Sequence, residues 1–205
     1  MQAGRFIVIE GGDGAGKSRL QTALCDHVRS RGREVVQMRE PGGTELGERV
    51  RGVVLAQRAL DDPLAELLLF EAARAHLVAA VLRPALARGD VVICDRFAAS
   101  SVAYQGYGRG LGRDLVDRLN AIATDGLAAD LTLLLDLPAE AGLARRVVDG
   151  ATNHFDREEV AFHERVRAGF LEQAHEAGVA WRVIDATQPF ESVAARAIEA
   201  VGAIL

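Results

Sequence analysis

Short apolar runs alternate with amphipathic segments along the chain, and this alternation is the main guide to the fold. The apolar runs predict five strands, and the segments between them carry apolar residues at helical spacing. Such alternation is typical of a parallel sheet covered by helices on both faces, an α/β fold of three αβα layers. The predicted strands are Arg5–Glu10, Glu34–Met38, Val91–Cys94, Leu131–Leu137 and Ala180–Ile184. The predicted helices lie near Lys17–Arg31, Glu45–Leu55, Leu64–Ala87, Arg113–Thr124, Ala139–Val148, Glu158–Ala177 and Phe190–Ile204.

The predicted helix at Leu64–Ala87 is apolar on nearly every side. A surface helix normally keeps one polar face, so this pattern predicts burial on two sides. One side would pack on the sheet. The other would be covered either by a second subunit or by the rest of the same chain, and the sequence leaves both alternatives open.

Composition narrows the class of protein. The chain has 205 residues, no internal repeat and no linker, which predicts one domain over residues 1–205. A net charge of -5 argues against a general nucleic-acid or membrane-surface binder. With no signal peptide and no membrane-spanning run in the sequence, we expect a cytoplasmic protein. Cys25 and Cys94 have neither metal-ligand nor disulfide spacing, which predicts two core residues.

A glycine-rich segment of the form Gly-x-x-x-x-Gly-Lys-Ser lies between the first predicted strand and the first predicted helix. In this context its backbone N–H groups and the helix N-terminus form a cradle for phosphate. Lys17 would reach the outer phosphates, and the Ser18 hydroxyl suits Mg²⁺. We therefore expect the chain to bind a nucleoside triphosphate. The predicted phosphate-binding residues are Gly11, Gly12, Asp13, Gly14, Ala15, Gly16, Lys17, Ser18 and Arg19.

Polar segments follow several other predicted strands, where ligands of a parallel sheet collect. Taken together, Arg39–Thr44, Phe70-x-x-x-Arg74, Ile93–Gln105 and Ile184–Pro189 resemble the thymidylate kinase family, the bacterial dTMP kinases. The resemblance runs from the glycine loop to the last helix, and nothing in the sequence matches the Asn-Lys-x-Asp motif of GTPases. It implies a P-loop NTPase fold with a short lid, and transfer of the γ-phosphoryl of ATP to dTMP, giving dTDP and ADP.

The resemblance also implies roles for side chains on the dTMP side. Arg96 and Arg51 would hold the acceptor phosphate, for which planar and permanently charged guanidinium groups are suited. Phe70 would stack on thymine, Arg74 would donate to a base carbonyl, and Tyr104 would lie against the deoxyribose 2′ position. The implied dTMP-binding residues are Asp13, Glu40, Pro41, Arg51, Phe70, Arg74, Arg96, Ser100, Ser101, Tyr104 and Gln105.

Metal, adenine and subunit contacts are implied in the same way. Ser18 and Asp95 would hold Mg²⁺, with direct or water-mediated contact by Asp13 and Asp95 left open. A homodimer would form through the apolar helices. The adenine of ATP would contact Ala186, Thr187, Gln188 and Pro189, mostly through their backbone.

The acceptor phosphate is largely dianionic at neutral pH, so catalysis requires alignment and charge neutralisation without a general base. We expect Lys17, Arg96, Arg145 and Arg146 to be catalytic. The lid, at about 145–157, departs from the family pattern. Asp149 replaces an expected basic residue, and arginines occur only at the lid edges, at Arg145, Arg146 and Arg157. Our hypothesis is that Arg145 carries the transition-state charge, assisted by Arg146 or by Arg19.

Two other functions fit parts of the sequence. One is a different nucleoside monophosphate kinase or a deoxynucleoside kinase, in which Glu40 would serve as the base for a 5′-hydroxyl. The other is a nucleotide-binding sensor that has lost turnover, for which the altered lid is the sole support. Acceptor-dependent release of ADP distinguishes the sensor from the enzymes, and a panel of acceptors distinguishes the kinases.

Overall fold

Five parallel strands form one sheet in the order β2-β3-β1-β4-β5 in the computed structural model of the chain. The structure describes residues 3–56, 60, 62–149 and 153–205. The carboxyl ends of β1 and β3 lie side by side because Ile9 pairs with Asp95 in the register of these two strands. The strands are β1 Arg5–Gly11, β2 Val35–Arg39, β3 Val91–Asp95, β4 Leu131–Asp136 and β5 Trp181–Asp185.

Helices cover both faces of this sheet. Alternate residues of β1 point to opposite sides: Ile7 and Ile9 pack in the cluster that contains α1 and α9, whereas Phe6 and Val8 pack against the segment after α3. The predicted three-layer α/β architecture is therefore confirmed. The α-helices are α1 Lys17–Ser30, α2 Glu45–Val54, α3 Pro63–Leu77, α4 Arg83–Arg88, α5 Ala98–Ser101, α6 Arg113–Thr124, α7 Ala139–Asp149, α8 Val160–Ala177 and α9 Phe190–Gly202.

Two helical regions differ from the prediction. The helix expected at Leu64–Ala87 is interrupted by a π-helical turn at Val78–Leu82, which separates α3 from α4. The sequence pattern predicts no helix between Cys94 and Arg113, yet α5 lies there and continues into a π-helix at Val102–Gly108. This segment is almost wholly buried and has no polar face, so it lacks the amphipathic period that marks a helix in a sequence.

The apolar surface of α3 is not fully covered by the chain itself. Leu64 and Leu68 are 40% and 48% exposed, so one of its two apolar sides faces outward. Cys25 and Cys94 are free thiols buried in the core, as predicted. Trp181 is only partly buried because β5 is an edge strand. Across the described part of the chain, no helix has the length and apolarity to cross a membrane.

The phosphate loop and α7 meet backbone to backbone. A Cβ placed on Gly14 would collide with the carbonyl oxygen of Gly142, and one on Gly142 would collide with the carbonyl oxygen of Asp13. Gly14 also has a φ of 73°, in the left-handed region that favours glycine. This contact fixes α7, and the arginines it carries, directly above the loop.

Candidate active site

A cleft of about 720 Å³ lies at the carboxyl ends of the strands, where the predicted site residues were expected to meet. Most of them line it, although they come from segments spread over the whole chain. The predicted residues that line the cleft are Asp13, Gly14, Ala15, Gly16, Lys17, Ser18, Arg19, Glu40, Pro41, Arg51, Phe70, Arg74, Asp95, Arg96, Ser100, Ser101, Tyr104, Gln105, Arg145, Arg146, Ala186 and Gln188.

Four predicted residues lie beside the cleft without lining it: Gly11, Gly12, Thr187 and Pro189. The carbonyl groups of Gly11 and Gly12 accept hydrogen bonds from the Lys17 ammonium at 3.0 and 2.7 Å, so these glycines hold the lysine. Burial is the largest cause that lowers the pKa of Lys17 to about 8, and repulsion from the nearby Arg96 is the next largest. A bound anion would relieve both effects.

Ser18 and Asp95 come together at the start of α1 and the end of β3. The Ser18 hydroxyl donates to an Asp95 carboxylate oxygen at 2.9 Å. A hydroxyl and a carboxylate beside a phosphate loop fit Mg²⁺, which usually takes one or two carboxylates together with substrate phosphates. Within the residues described, no group of three or more His, Cys, Asp or Glu side chains is arranged to hold a metal.

Arg96 lies at the centre of the cleft and is held from several sides. Its guanidinium donates to Asp13 at 2.8 Å, to the Tyr104 hydroxyl at 3.1 Å and to the Gly11 carbonyl at 3.0 Å. The Tyr104 hydroxyl in turn donates to Asp13 at 2.7 Å. Burial alone would raise the pKa of Asp13, but Arg96, Lys17 and Tyr104 outweigh it and hold the value at about 2. Asp13 is therefore an anion that keeps Arg96 extended toward the loop.

The backbone of Arg96 has a φ of 71°, a conformation uncommon for a non-glycine residue. A buried carboxylate, Glu10, supports this turn and was not identified from the sequence. Glu10 accepts from the Phe97 N–H at 2.9 Å and from the Ser100 hydroxyl at 2.7 Å, and that hydroxyl accepts from Arg96 at 3.1 Å. Ser100 lies inside α5, whose N-cap residue is Phe97.

Arg74 lies at the floor of the cleft inside a buried polar network. It donates to Glu40 at 2.8 Å and to Glu71 at 2.6 Å, and further to Ser101 at 3.0 Å and Asn120 at 2.7 Å. Burial raises the pKa of Glu40 to about 7 against the opposing effect of Arg74. These partners occupy most of the donors of Arg74, so a thymine carbonyl would have to share one of them. Its contact with the base stays a prediction.

Arg51 and Phe70 enter the cleft from α2 and α3. The Arg51 guanidinium donates to the Pro41 carbonyl at 2.9 Å, which places a second cation on the acceptor side. Burial, and to a smaller extent repulsion from Arg39, lowers the pKa of Arg51, but an arginine stays charged near neutral pH. Phe70 packs against two apolar clusters and also lines the cleft.

The family model for thymidylate kinase matches residues 9–197 of the chain. The chain belongs to the thymidylate kinase family. It is 47% identical to the thymidylate kinase of Deinococcus radiodurans, over 98% of each chain. It is 50% identical to that of Thermomicrobium roseum over 92% of this chain and 90% of the relative. The crystal structure of thymidylate kinase from Ehrlichia chaffeensis superposes with a TM-score of 0.79 at 33% identity, covering 97% of this chain and 99% of that one.

Membership of the thymidylate kinase family confirms the predicted P-loop fold and reaction. The activity is ATP-dependent phosphorylation of dTMP, which gives dTDP and ADP for dTTP synthesis. Kinases that act on a nucleoside, and sensors without turnover, are disfavoured by the same matches.

The two predicted catalytic arginines of the lid region, Arg145 and Arg146, have different hydrogen-bond partners. Arg145 donates to the Ala186 carbonyl at 3.2 Å and, more weakly, to that of Gly14 at 3.5 Å. Arg146 makes two hydrogen bonds with Asp156, at 2.9 and 3.0 Å. Residues 150–152 and the side chains of Asp149 and Arg157 lie outside the described part, so the predictions on them stay predictions.

Arg19 takes a different position from the lid arginines. Its guanidinium lies 3.7 Å from the centre of the Phe190 ring, above the end of α9. Several cleft residues of this thymidylate kinase were not identified from the sequence. Phe190 directly follows the predicted adenine segment and Phe155 falls within the predicted lid, so both could have been included by position. The lining residues that were missed are Arg39, Leu55, Leu135, Asn153, Phe155, Phe190 and Val193.

Proposed function

We propose that dTMP binds in the buried half of the cleft, that ATP binds along the phosphate loop, and that Arg96 joins the two halves. The observation that carries this proposal is the position of Arg96, whose guanidinium contacts Asp13 and the loop carbonyl of Gly11 while lining the acceptor side. A cation in that position neutralises charge on an acceptor phosphate next to the donor phosphates.

The acceptor half is suited to a pyrimidine deoxynucleotide. Phe70 stacks on the base, and Arg51 together with Arg96 holds the phosphate. Tyr104 is 6% exposed, and its hydroxyl is fixed by the hydrogen bond to Asp13. This supports a position of its ring against the deoxyribose 2′ carbon, with little space for a hydroxyl there. A ribose hydroxyl would meet this ring, so ribonucleotides are poorer acceptors.

No side chain acts as a general base in this reaction. The acceptor phosphate is dianionic near neutral pH and attacks directly. Glu40, the candidate base of the alternative nucleoside kinase, is bound to Arg74 through the Oε2 atom at 2.7 Å from Nη2. The residues instead align the phosphates: Lys17 binds the donor, and Arg145 and Arg146 approach the phosphate loop from α7.

Ser18 and Asp95 would hold Mg²⁺, for the reasons of ligand chemistry given above. When bound, the ion neutralises phosphate charge and orients the donor oxygens. Asp13 is already engaged by Arg96 and Tyr104, which favours its action on Mg²⁺ through water over direct ligation.

Assembly and compartment complete the proposal. The exposed Leu64 and Leu68 of α3 support a homodimer in which this surface is covered by a second copy. We expect the enzyme to work in the cytoplasm. Light scattering of the wild type and of Leu68→Glu tests the dimer, since the charged variant should shift toward the monomer.

An acceptor panel tests the reaction. ADP release is measured with ATP and Mg²⁺ in the presence of dTMP, dUMP, UMP, CMP, AMP or thymidine, and without acceptor. Strong release with dTMP and little with thymidine or ribonucleotides supports the proposal. The proposal is contradicted if ADP release is as fast without an acceptor as with one, or as fast with thymidine as with dTMP.

A further inference from the structure

A buried carboxylate behind the acceptor half has no role in the reaction described so far. Glu66 of α3 is 1% exposed, and its Oε1 atom accepts from the amide nitrogen of Gln105 at 2.8 Å. Arg109 lies at 3.4 Å from each carboxylate oxygen, and a ring nitrogen of His154 lies 3.5 Å from Oε2. Glu66 is therefore anchored by Arg109 through both carboxylate oxygens, and its Oε1 atom also accepts from Gln105.

This contact determines which way the Gln105 amide is turned. A carboxylate can only accept hydrogen bonds, so the NH₂ group of Gln105 must face Glu66 and its carbonyl oxygen must face away. Gln105 lines the cleft, and its Oε1 atom receives no hydrogen bond from any residue in the described ranges. A side-chain oxygen without a hydrogen-bond partner is either fully buried or accessible from the cavity. The Gln105 Oε1 atom is not among the fully buried ones in the described part of the chain. It is thus exposed to the cavity.

We propose that Glu66 is a positioning residue that sets base specificity by fixing the Gln105 carbonyl as an acceptor toward the base. Thymine and uracil carry a hydrogen on N3 and can donate to this oxygen. Cytosine has an unprotonated N3, which would face the oxygen lone pair to lone pair. This inference rests on the proposed binding of dTMP beside Phe70, and it deepens that proposal by naming how the pyrimidine is selected.

The variant Glu66→Gln tests the inference with a minimal change of shape. Its amide can donate as well as accept, so Gln105 is no longer forced to present its oxygen. We expect the preference for dTMP over dCMP, measured as a ratio of kcat/KM, to fall about tenfold, the scale of one hydrogen bond. The loss should come mainly from a higher KM for dTMP, while the KM for ATP stays within about twofold of the wild type.

Glu158→Gln is the matched control. Glu158 pairs with the same Arg109, at 2.5 Å, and forms no hydrogen bond with Gln105, which donates to Glu66 instead. Removing this charge perturbs the same cluster, but the dTMP to dCMP preference should stay at the wild-type value. A general structural effect of lost charge would instead change both variants alike, which would contradict the inference.

A double-mutant cycle tests whether Glu66 acts through Gln105 or has an independent effect on base preference. With Gln105→Ala as background, Glu66→Gln should produce no further loss of preference, because the amide it orients is gone. Additive losses would overturn the proposal, as would an unchanged preference in Glu66→Gln itself. If the wild type fails to phosphorylate dTMP at all, the proposed function fails instead.

One measurement needs no variant and covers the case in which Glu66→Gln does not fold. A crystal structure of the wild type with dTMP should place the Gln105 carbonyl oxygen within hydrogen-bonding distance of N3. An N3 atom bonded to another acceptor, or a Gln105 amide turned away from Glu66, would overturn the inference.

Discussion

The two halves of the cleft are built differently. On the acceptor side, Arg74 and Gln105 are each 2% exposed and already have protein partners before any nucleotide binds. On the donor side, the Arg19 side chain is 67% exposed and stacks on Phe190, and the predicted phosphate site consists of loop backbone and Lys17.

This difference indicates where specificity is located. Buried polar groups in fixed positions penalise a wrong ligand strongly, because mismatched groups stay unpaired without water. Exposed side chains can rearrange or be solvated, and the triphosphate is common to all donors. We therefore expect the enzyme to discriminate among acceptors far more than among donors, and the following experiments test that contrast in order of effect.

The largest effect is expected at Arg96, the residue that both halves share. Arg96→Lys keeps the charge but loses the fork that contacts Asp13 and Tyr104 together, so kcat/KM for dTMP should fall on the order of 10³-fold. Steady-state turnover with varied dTMP measures this. Arg113→Lys, in an exposed ion pair with Glu176, is the control and should retain wild-type turnover. A loss at Arg96 of less than tenfold would contradict its central role.

The next effect concerns the arginines near the donor phosphates. Arg145→Ala should reduce kcat by roughly 10²-fold, since a positioned cation acts mainly in the transition state. Smaller reductions should follow Arg146→Ala and Arg19→Ala, the latter because its guanidinium is engaged with Phe190. Turnover at saturating ATP and dTMP checks all three. The hypothesis is wrong if every variant stays within a few-fold of the wild type.

The buried acceptor half and the exposed donor half should also differ in how much a substitution lowers the free energy of unfolding. Asn120→Ala removes an acceptor of Arg74 at 2.7 Å inside the buried network and should lower the free energy of unfolding by about 2 kcal/mol. Thr187→Ala, at an exposed turn on the donor side, should change it by less than about 0.5 kcal/mol. Urea denaturation of both variants makes the comparison, and equal losses would show that the halves do not differ in this way.

The smallest effect is a pH dependence that, above pH 8, is confined to the donor side. Lys17 has a pKa of about 8 without nucleotide, so below that pH it is already charged and above it ATP binding must take up a proton. ATP affinity should therefore fall as pH rises through about 8, by up to about tenfold per pH unit. Calorimetry in buffers of different ionisation enthalpy would detect the proton. Affinity for dTMP, which relies on permanently charged arginines, should stay flat between pH 8 and pH 9, above the pKa of about 7 of Glu40, and a flat profile for ATP over this range would contradict the assignment.

Sequence patterns predicted the strands and the layered architecture well, and the site in part. The strands before the phosphate loop and at Val91–Asp95 are continuous apolar runs, so their burial could be read directly. The contact between Asp13 and Arg96 joins residues 83 positions apart, and it depends on β1 and β3 being neighbours in the sheet. Strand order of this kind follows from tertiary packing and has no local pattern.

The supporting carboxylates were missed for another reason. Glu10 and Glu66 lie in apolar segments where a charged residue is normally assigned to the exposed side. Their burial becomes intelligible only with the donors that face them, Ser100 and Gln105, which come from a different segment of the chain. A single sequence contains no record of those pairings.

The close approach of Gly14 and Gly142 decides from which direction positive charge can reach the donor phosphates. Any side chain at position 14 would displace α7, and with it Arg145 and Arg146. An arginine at position 14 would therefore disturb the contact that holds Arg145 and Arg146 close to the loop. The two glycines thus favour the delivery of positive charge from α7, and a substitution at either one requires the backbone that it faces to shift.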